Sequence, residues 1–277
     1  MTRNQIILIA FCAVLGTGIY LFADIKKPKE QKPAEAEHQH MPGEPPHAEA
    51  LDIDAYLTET NTAIADAAVK KKVEEFAAAG NYKELMATYQ QLDKPLAVAH
   101  YAVKLAEKEN RPESFIAAGD YNAMLLQTAP DEKAGNFLRS NLLACYQRAV
   151  DLDSNNTNNR IRLAGAIIEN NPAPMQGVSI LLDIVRKDST NVDAQLMLGR
   201  FGIVSGQYDK AIARLDKILY SHPQNSEALL LLAEAYNAKG DKNKAVEMLK
   251  RCKKTVADPA AKKEIEKYIE QIKKPNG

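Results

Sequence analysis

Tryptophan is absent from this chain of 277 residues, and cysteine occurs only three times. So few cysteines argue against a disulfide framework. Cys12 lies in an apolar run, whereas Cys145 and Cys252 fall on apolar stripes of predicted helices, where a free cysteine behaves as a small buried hydrophobe. Net charge is also missing, because 36 basic side chains balance 36 acidic ones. The chain therefore has no overall field for a polyanion, and we expect no nucleic-acid partner.

Motifs of catalysis are missing as well. No glycine-rich phosphate loop follows a strand, and His100 and His222 have no evident nucleophile beside them. We predict a protein that is not an enzyme and that needs no cofactor and no metal. Weak metal ligation by His38, His40 and His47 is the alternative, but their spacing fixes no geometry and a plain spacer is favoured.

An uncharged run of 18 residues, Ile6 to Ala23, lies near the N-terminus. As a helix it would be about 27 Å long, close to the hydrocarbon core of about 30 Å. The run is longer than the apolar region of a typical signal peptide, and it lacks the small residue two positions before Ala23. We predict a short tail over residues 1–5 and an uncleaved transmembrane anchor over 6–23, with a cleaved signal peptide as the alternative.

The next segment, residues 24–50, has a different composition. It contains five prolines, many Glu and Lys residues and almost nothing apolar. Such a segment cannot bury enough surface to offset its ordering entropy. We predict a disordered linker rich in Pro, Glu and His.

A period of 34 residues repeats without a gap from Val192 to Pro259. The unit 192–225 aligns with the unit 226–259, so that Gly206 matches Gly240 and Ala211 matches Ala245. Leu198 and Gly199 likewise match Leu232 and Ala233. Small residues recur where two helices must touch, and this spacing is typical of a repeated helix pair.

Three earlier units are degenerate but readable, over residues 79–111, 112–156 and 157–191. The second contains an insertion of eleven residues between Asn122 and Leu142, which the period does not explain. We predict capping helices before the array, over 51–78, and one capping helix after it, over 260–274. In that last helix Ile265, Tyr268, Ile269 and Ile272 form an apolar stripe.

These units resemble the tetratricopeptide repeat family from Ala79 to Pro259. The resemblance implies an all-α fold, a right-handed α-solenoid of about five helix pairs with a cap at each end, preceded here by one transmembrane helix. The order of anchor, linker and repeats is similar to that of bacterial membrane-anchored tetratricopeptide proteins. Some of those proteins work beside the translocon or the envelope-assembly machinery.

In such an array the first helix of each pair lines a concave groove, through positions 2, 5, 9, 12 and 13 of the unit. The predicted groove residues are Asn158, Ile161, Ile168, Asp193, Leu196, Arg200, Ile203, Val204, Glu227, Leu230, Glu234 and Asn237. We expect a protein segment to bind chiefly through Leu196, Ile203, Val204 and Leu230, with Arg200 orienting it. Replacing Leu196 and Leu230 by Asp should then abolish binding without unfolding. The alternative is that these apolar groove residues pack against the chain's own termini.

Two functions follow from this reading. The first is a membrane-tethered adaptor that binds protein or peptide segments near the membrane and assists envelope protein assembly or translocation. The second is a structural scaffold that self-associates or braces a larger envelope complex. We expect a single-pass protein of the bacterial inner membrane with periplasmic repeats. The lysines after the anchor, Lys26, Lys27, Lys29 and Lys32, favour the opposite orientation, with cytoplasmic repeats.

Overall fold

The structure is a computed structural model, and it describes residues 49–274. Within that range every regular element is a helix, as the sequence predicts. The helices are α1 (Ile53–Thr62), α2 (Ala67–Ala79), α3 (Tyr82–Gln91), α4 (Pro95–Glu109), α5 (Pro112–Leu126), α6 (Glu132–Leu152), α7 (Thr157–Asn170), α8 (Met175–Lys187), α9 (Val192–Val204), α10 (Tyr208–Ser221), α11 (Ser226–Ala238), α12 (Lys242–Thr255) and α13 (Pro259–Lys273).

The predicted anchor at residues 6–23 and the predicted linker before residue 49 lie outside the described residues. Among residues 49–274, no helix combines the length and the apolar character that crossing a membrane requires.

The described chain divides into two compact units, residues 49–197 and residues 198–274, with the division inside α9. In the first unit α3 packs against α4, α5 against α6 and α7 against α8. In the second, α11 packs against α10 and α12, and α13 packs against α12. Each unit is therefore built from helix pairs that are neighbours in sequence.

Local signals explain where these helices begin and end. Asn225 accepts a hydrogen bond from the Ala228 backbone N–H at 2.8 Å, which satisfies one free donor at the start of α11. Pro259 occupies the first turn of α13, where its missing N–H is tolerated. Gly206 and Gly240 end α9 and α11 with φ of +74° and +91°, a left-handed conformation that a side chain disfavours.

Small residues lie where helices approach most closely. A Cβ atom added to Gly119 in α5 would lie 2.5 Å from the Tyr146 ring of α6. One added to Gly199 would lie 3.0 Å from the Leu215 side chain of α10. Ala164 and Ala233 are completely buried at corresponding repeat positions. The small residues of the period thus serve close helix packing, as the spacing predicts.

The insertion in the second predicted unit lengthens both helices of one pair. As a result α5 has 15 residues and α6 has 21 residues. The added first turns of α6 carry Phe137 and Leu138, which form a buried cluster with Leu96 of α4. Leu51 and the α1 residues Ile53 and Tyr56 pack against this cluster.

Polar contacts hold the start of the described chain on α6. The Leu51 backbone N–H donates to the Lys133 carbonyl at 3.1 Å, and the Lys133 ammonium lies 2.7 Å from the Glu49 carboxylate. The insertion therefore forms the surface on which the segment before the repeats docks.

Both cysteines of the described chain are buried, as the apolar stripes predict. Cys145 is 1% exposed and Cys252 is 3% exposed. Burial raises the pKa of the Cys145 thiol to about 12 and that of Cys252 to about 11. Neither thiol forms an appreciable amount of thiolate near neutral pH, so both act as core residues.

Candidate functional site

Four predicted groove residues lie on one face of α11. Glu227, Leu230, Glu234 and Asn237 are separated by three or four positions, so their side chains follow one another along the helix. Leu230, Glu234 and Asn237 are partly buried. Helix geometry therefore places an apolar side chain between two carboxylates on this surface.

Arg200 joins α9 to that face. Its guanidinium donates to the Glu227 carboxylate at 2.7 Å, and the two side chains are 34% and 38% exposed. Ile203 and Val204 follow Arg200 by three and four positions, and Val204 is 61% exposed. Arg200 is thus already paired within this surface, and apolar side chains lie beside the pair.

Glu234 is the most perturbed carboxyl of this surface. Burial is the main cause that raises the pKa of Glu234 to about 7, and the attraction of Arg200 opposes the shift only in part. The negative charge of Glu227 raises this pKa further. Near neutral pH, Glu234 can therefore either donate or accept a hydrogen bond.

Tyr268 of α13 extends the same surface. Its side chain is hydrogen-bonded to Asn237, and its pKa is raised to about 12 by burial and by the nearby charge of Glu234. The sequence places Tyr268 on the apolar stripe of the capping helix, but it is partly buried, whereas Ile265, Ile269 and Ile272 are buried. The phenolic hydroxyl, which isoleucine lacks, is the sequence signal that could have indicated a hydrogen-bonding role for Tyr268 in place of full burial.

We call this surface the Glu234 face. Its members all lie within residues 198–274 and are Arg200, Ile203, Val204, Glu227, Leu230, Glu234, Asn237 and Tyr268.

The remaining predicted groove residues lie in the unit 49–197. Asn158 and Asp193 are exposed and Ile168 is partly buried. Ile161 and Leu196 are buried, with 8% and 7% of their surface exposed. The expectation that Leu196 could be replaced by Asp without unfolding is therefore wrong, because a carboxylate there would lose most of its water. The role of these residues in binding stays a prediction.

A charged cluster that the sequence did not indicate lies in this unit. The Asp120 carboxylate accepts hydrogen bonds from the Tyr146 hydroxyl and from the Arg162 guanidinium, both at 2.5 Å. These side chains come from α5, α6 and α7, so the cluster joins three helices. Asp120 was missed because its partners lie far away in sequence.

No group of His, Cys, Asp and Glu side chains within residues 49–274 has an arrangement that could hold a metal ion. The described chemistry of the Glu234 face consists of one ion pair, one perturbed carboxyl, an amide, a phenol and apolar side chains. Such an arrangement can bind a partner through burial, hydrogen bonds and charge.

The succession of helix pairs defines a helical-repeat protein. Residues 205–263 match the tetratricopeptide repeat family, so this part of the chain has the sequence pattern of that repeat. That match confirms the resemblance predicted from the 34-residue period. A search of the curated proteins finds no match for the chain.

Several solved structures are similar at low identity. The MamA protein is 18% identical, over 63% of this chain and 89% of that one, with a TM-score of 0.46. YrrB, described as a tetratricopeptide repeat protein with an unusual peptide-binding site, is 16% identical over 73% of this chain and 99% of that one, with a TM-score of 0.44. The repeat domain of P58(IPK) is 12% identical over 81% and 100%, with a TM-score of 0.17. These TM-scores are low, so the assignment rests on the chain's own helices and on the family match.

Proposed function

We propose that this chain is a non-enzymatic adaptor that binds a segment of another protein on the Glu234 face. The observation that carries the proposal is the exposure of Val204 and the partial exposure of Leu230 beside the charged pair Arg200 and Glu227. Apolar anchors flanked by charged groups suit a partner helix or an extended peptide, because burial supplies affinity and charge sets orientation.

Site-specific photo-crosslinking of the full chain in its native cells tests this proposal. A photoreactive residue at Leu230 or Val204 should form an adduct with a different protein, whereas the same residue at Lys217, exposed on α10, should not. The double substitution Val204→Ser and Leu230→Ser should reduce the adduct formed from a photoreactive residue at Asn237. Met175→Ser is the matched control, because Met175 is as exposed as Val204, at 61%, but lies on α8. Adducts that contain only copies of this chain would favour the scaffold function instead.

The adaptor is further proposed to be held at a bacterial inner membrane by residues 6–23, with the repeats in the periplasm. The support is the uncharged N-terminal run and the resemblance of the layout to bacterial membrane-anchored repeat proteins. A Lys217→Cys variant of the full chain gives a direct measurement of orientation. A membrane-impermeant thiol reagent should label it in intact spheroplasts, against a low background from buried Cys145 and Cys252. Labelling only after lysis would place the repeats in the cytoplasm.

A further inference from the structure

The Glu234 face contains one carboxyl more than it contains basic groups, and this difference points to the chemistry of its partner. We propose that the segment bound there carries a lysine or arginine side chain, whose charged group contacts Glu234 beside the ring of Tyr268. This inference rests on the proposed function, since it names the class of segment that the adaptor binds.

The existing ion pair supplies the first step of the argument. Arg200 donates to Glu227 at 2.7 Å, so its guanidinium already has a carboxylate partner within the face. Arg200 also attracts Glu234, but it does not offset the burial of that carboxyl. Glu234 is consequently the group on this surface whose ionised form gains most from a second cation.

Folding has already removed much of the water around Glu234. A cation that binds to an exposed carboxylate must displace water from it, which cancels most of the attraction. Here the carboxyl is partly buried in the folded chain, so an incoming ammonium or guanidinium group loses less of that attraction.

The neighbours of Glu234 fit a basic side chain with an apolar stem. The charge of Glu234 raises the pKa of Tyr268, so the phenol and the carboxyl interact electrostatically. A cation that reaches the ring of Tyr268 gains a further electrostatic attraction. Leu230 lies one turn before Glu234 on the same face and can pack against the methylene groups of lysine or arginine. An acidic ligand would instead meet the charges of both Glu227 and Glu234.

Binding of such a segment changes the protonation of the face. The charged groups that act on Glu234 are Arg200 of α9 and Glu227 of its own helix, and Tyr268 faces it from α13. A bound cation favours the ionised carboxylate, so near neutral pH we expect Glu234 to release a proton when the segment binds.

The test measures the full chain against a positional-scanning library of short peptides in which one position is fixed as lysine, arginine, norleucine or glutamate. We expect lysine and arginine to be preferred over norleucine by about tenfold, the contribution of one charge-assisted hydrogen bond. Glu234→Gln should remove this preference, because it keeps the shape of the side chain and removes its charge. Glu247→Gln, on the exposed surface of α12, is the matched control and should retain the preference.

Calorimetry in two buffers of different ionisation enthalpy gives a second readout. Proton release at pH 7 is expected for the lysine peptide and not for its norleucine counterpart, and Glu234→Gln should abolish it. Equal affinity for lysine and norleucine, or a preference for glutamate, overturns this inference while leaving peptide binding intact. Absence of peptide binding together with absence of adducts at Leu230 overturns the proposed function itself.

Discussion

Two carboxyl side chains, one in each compact unit, occupy position 9 of their repeats, but their burial and their hydrogen-bond partners differ. Asp120 of the unit 49–197 accepts hydrogen bonds from Tyr146 and Arg162. Glu234 of the unit 198–274 is more deeply buried, and its pKa is raised to about 7 because Arg200 compensates the burial only in part. One repeat position therefore holds a hydrogen-bonded carboxylate in one unit and a carboxyl with a raised pKa in the other.

The largest effect on stability is expected from the predicted groove residues Leu196 and Val204, which differ in exposure. Leu196 is 7% exposed, whereas Val204 is 61% exposed. Leu196→Asp buries an unpaired carboxylate and should lower the free energy of unfolding by about 3 kcal/mol or more. Val204→Asp should change it by no more than about 0.5 kcal/mol. Urea unfolding followed by circular dichroism measures the free energy of unfolding of both variants. Equal losses would show that Leu196 and Val204 are equally buried.

An intermediate effect is expected from Glu234→Gln, with a definite dependence on pH. Because the folded-state pKa of Glu234 is raised from 4.5 to about 7, the folded chain binds its proton more tightly than the unfolded chain. Its contribution to stability is complete below pH 4.5 and is lost as the pH rises through 7.

At pH 8 the Glu234→Gln chain should therefore be more stable than the natural chain by up to about 3 kcal/mol, the limit set by a pKa that is raised from 4.5 to about 7. At pH 4 that advantage should vanish. Urea titrations at the two pH values, with Glu247→Gln as the control, provide the measurement. An advantage of the same size at both pH values would contradict the assigned burial of the carboxyl.

The smallest effect, and one of opposite sign, is expected from Asp120→Asn. This substitution weakens the hydrogen bonds from Tyr146 and Arg162, and the latter pair is about half-exposed. A loss of about 1 kcal/mol in the free energy of unfolding follows. Thermal unfolding at pH 7 compares it with Asp151→Asn, on the exposed surface of α6. If Asp120→Asn were stabilising, as Glu234→Gln is at high pH, the contrast between the two positions would not hold.

The repeat period predicts the helix pairs well because their contacts are local. The first helices of the last two pairs begin at Val192 and Ser226, where the 34-residue units begin. Turn glycines, helix caps and small residues act within one repeat or between neighbouring repeats, so they recur at regular intervals in the sequence. The face of α11 that carries Glu227, Leu230 and Glu234 could be read from the same spacing.

The state of each side chain on that face could not be read in this way. The pKa of Glu234 is raised mainly by burial. The last helix, which follows the periodic units, carries Tyr268, and this side chain is hydrogen-bonded to Asn237 and has its own pKa raised by the charge of Glu234. Leu196 and Val204 both look like groove positions, yet only the surrounding helices decide that one is buried and the other exposed. The repeat period predicts which residues share one face of a helix, whereas the exposure of each side chain depends on neighbours that are distant in sequence.

The docking of Leu51 on Lys133 has a consequence for how the first unit folds. Contacts within a helix pair close short loops, but this contact closes a loop that contains α1 to α5. Loop-closure entropy grows with the number of residues enclosed, and non-local contacts slow folding. The contact between Leu51 and Lys133 gives this unit a higher contact order than its helix pairs alone would have. We therefore expect α1 to dock after the pairs α3/α4 and α5/α6 have formed.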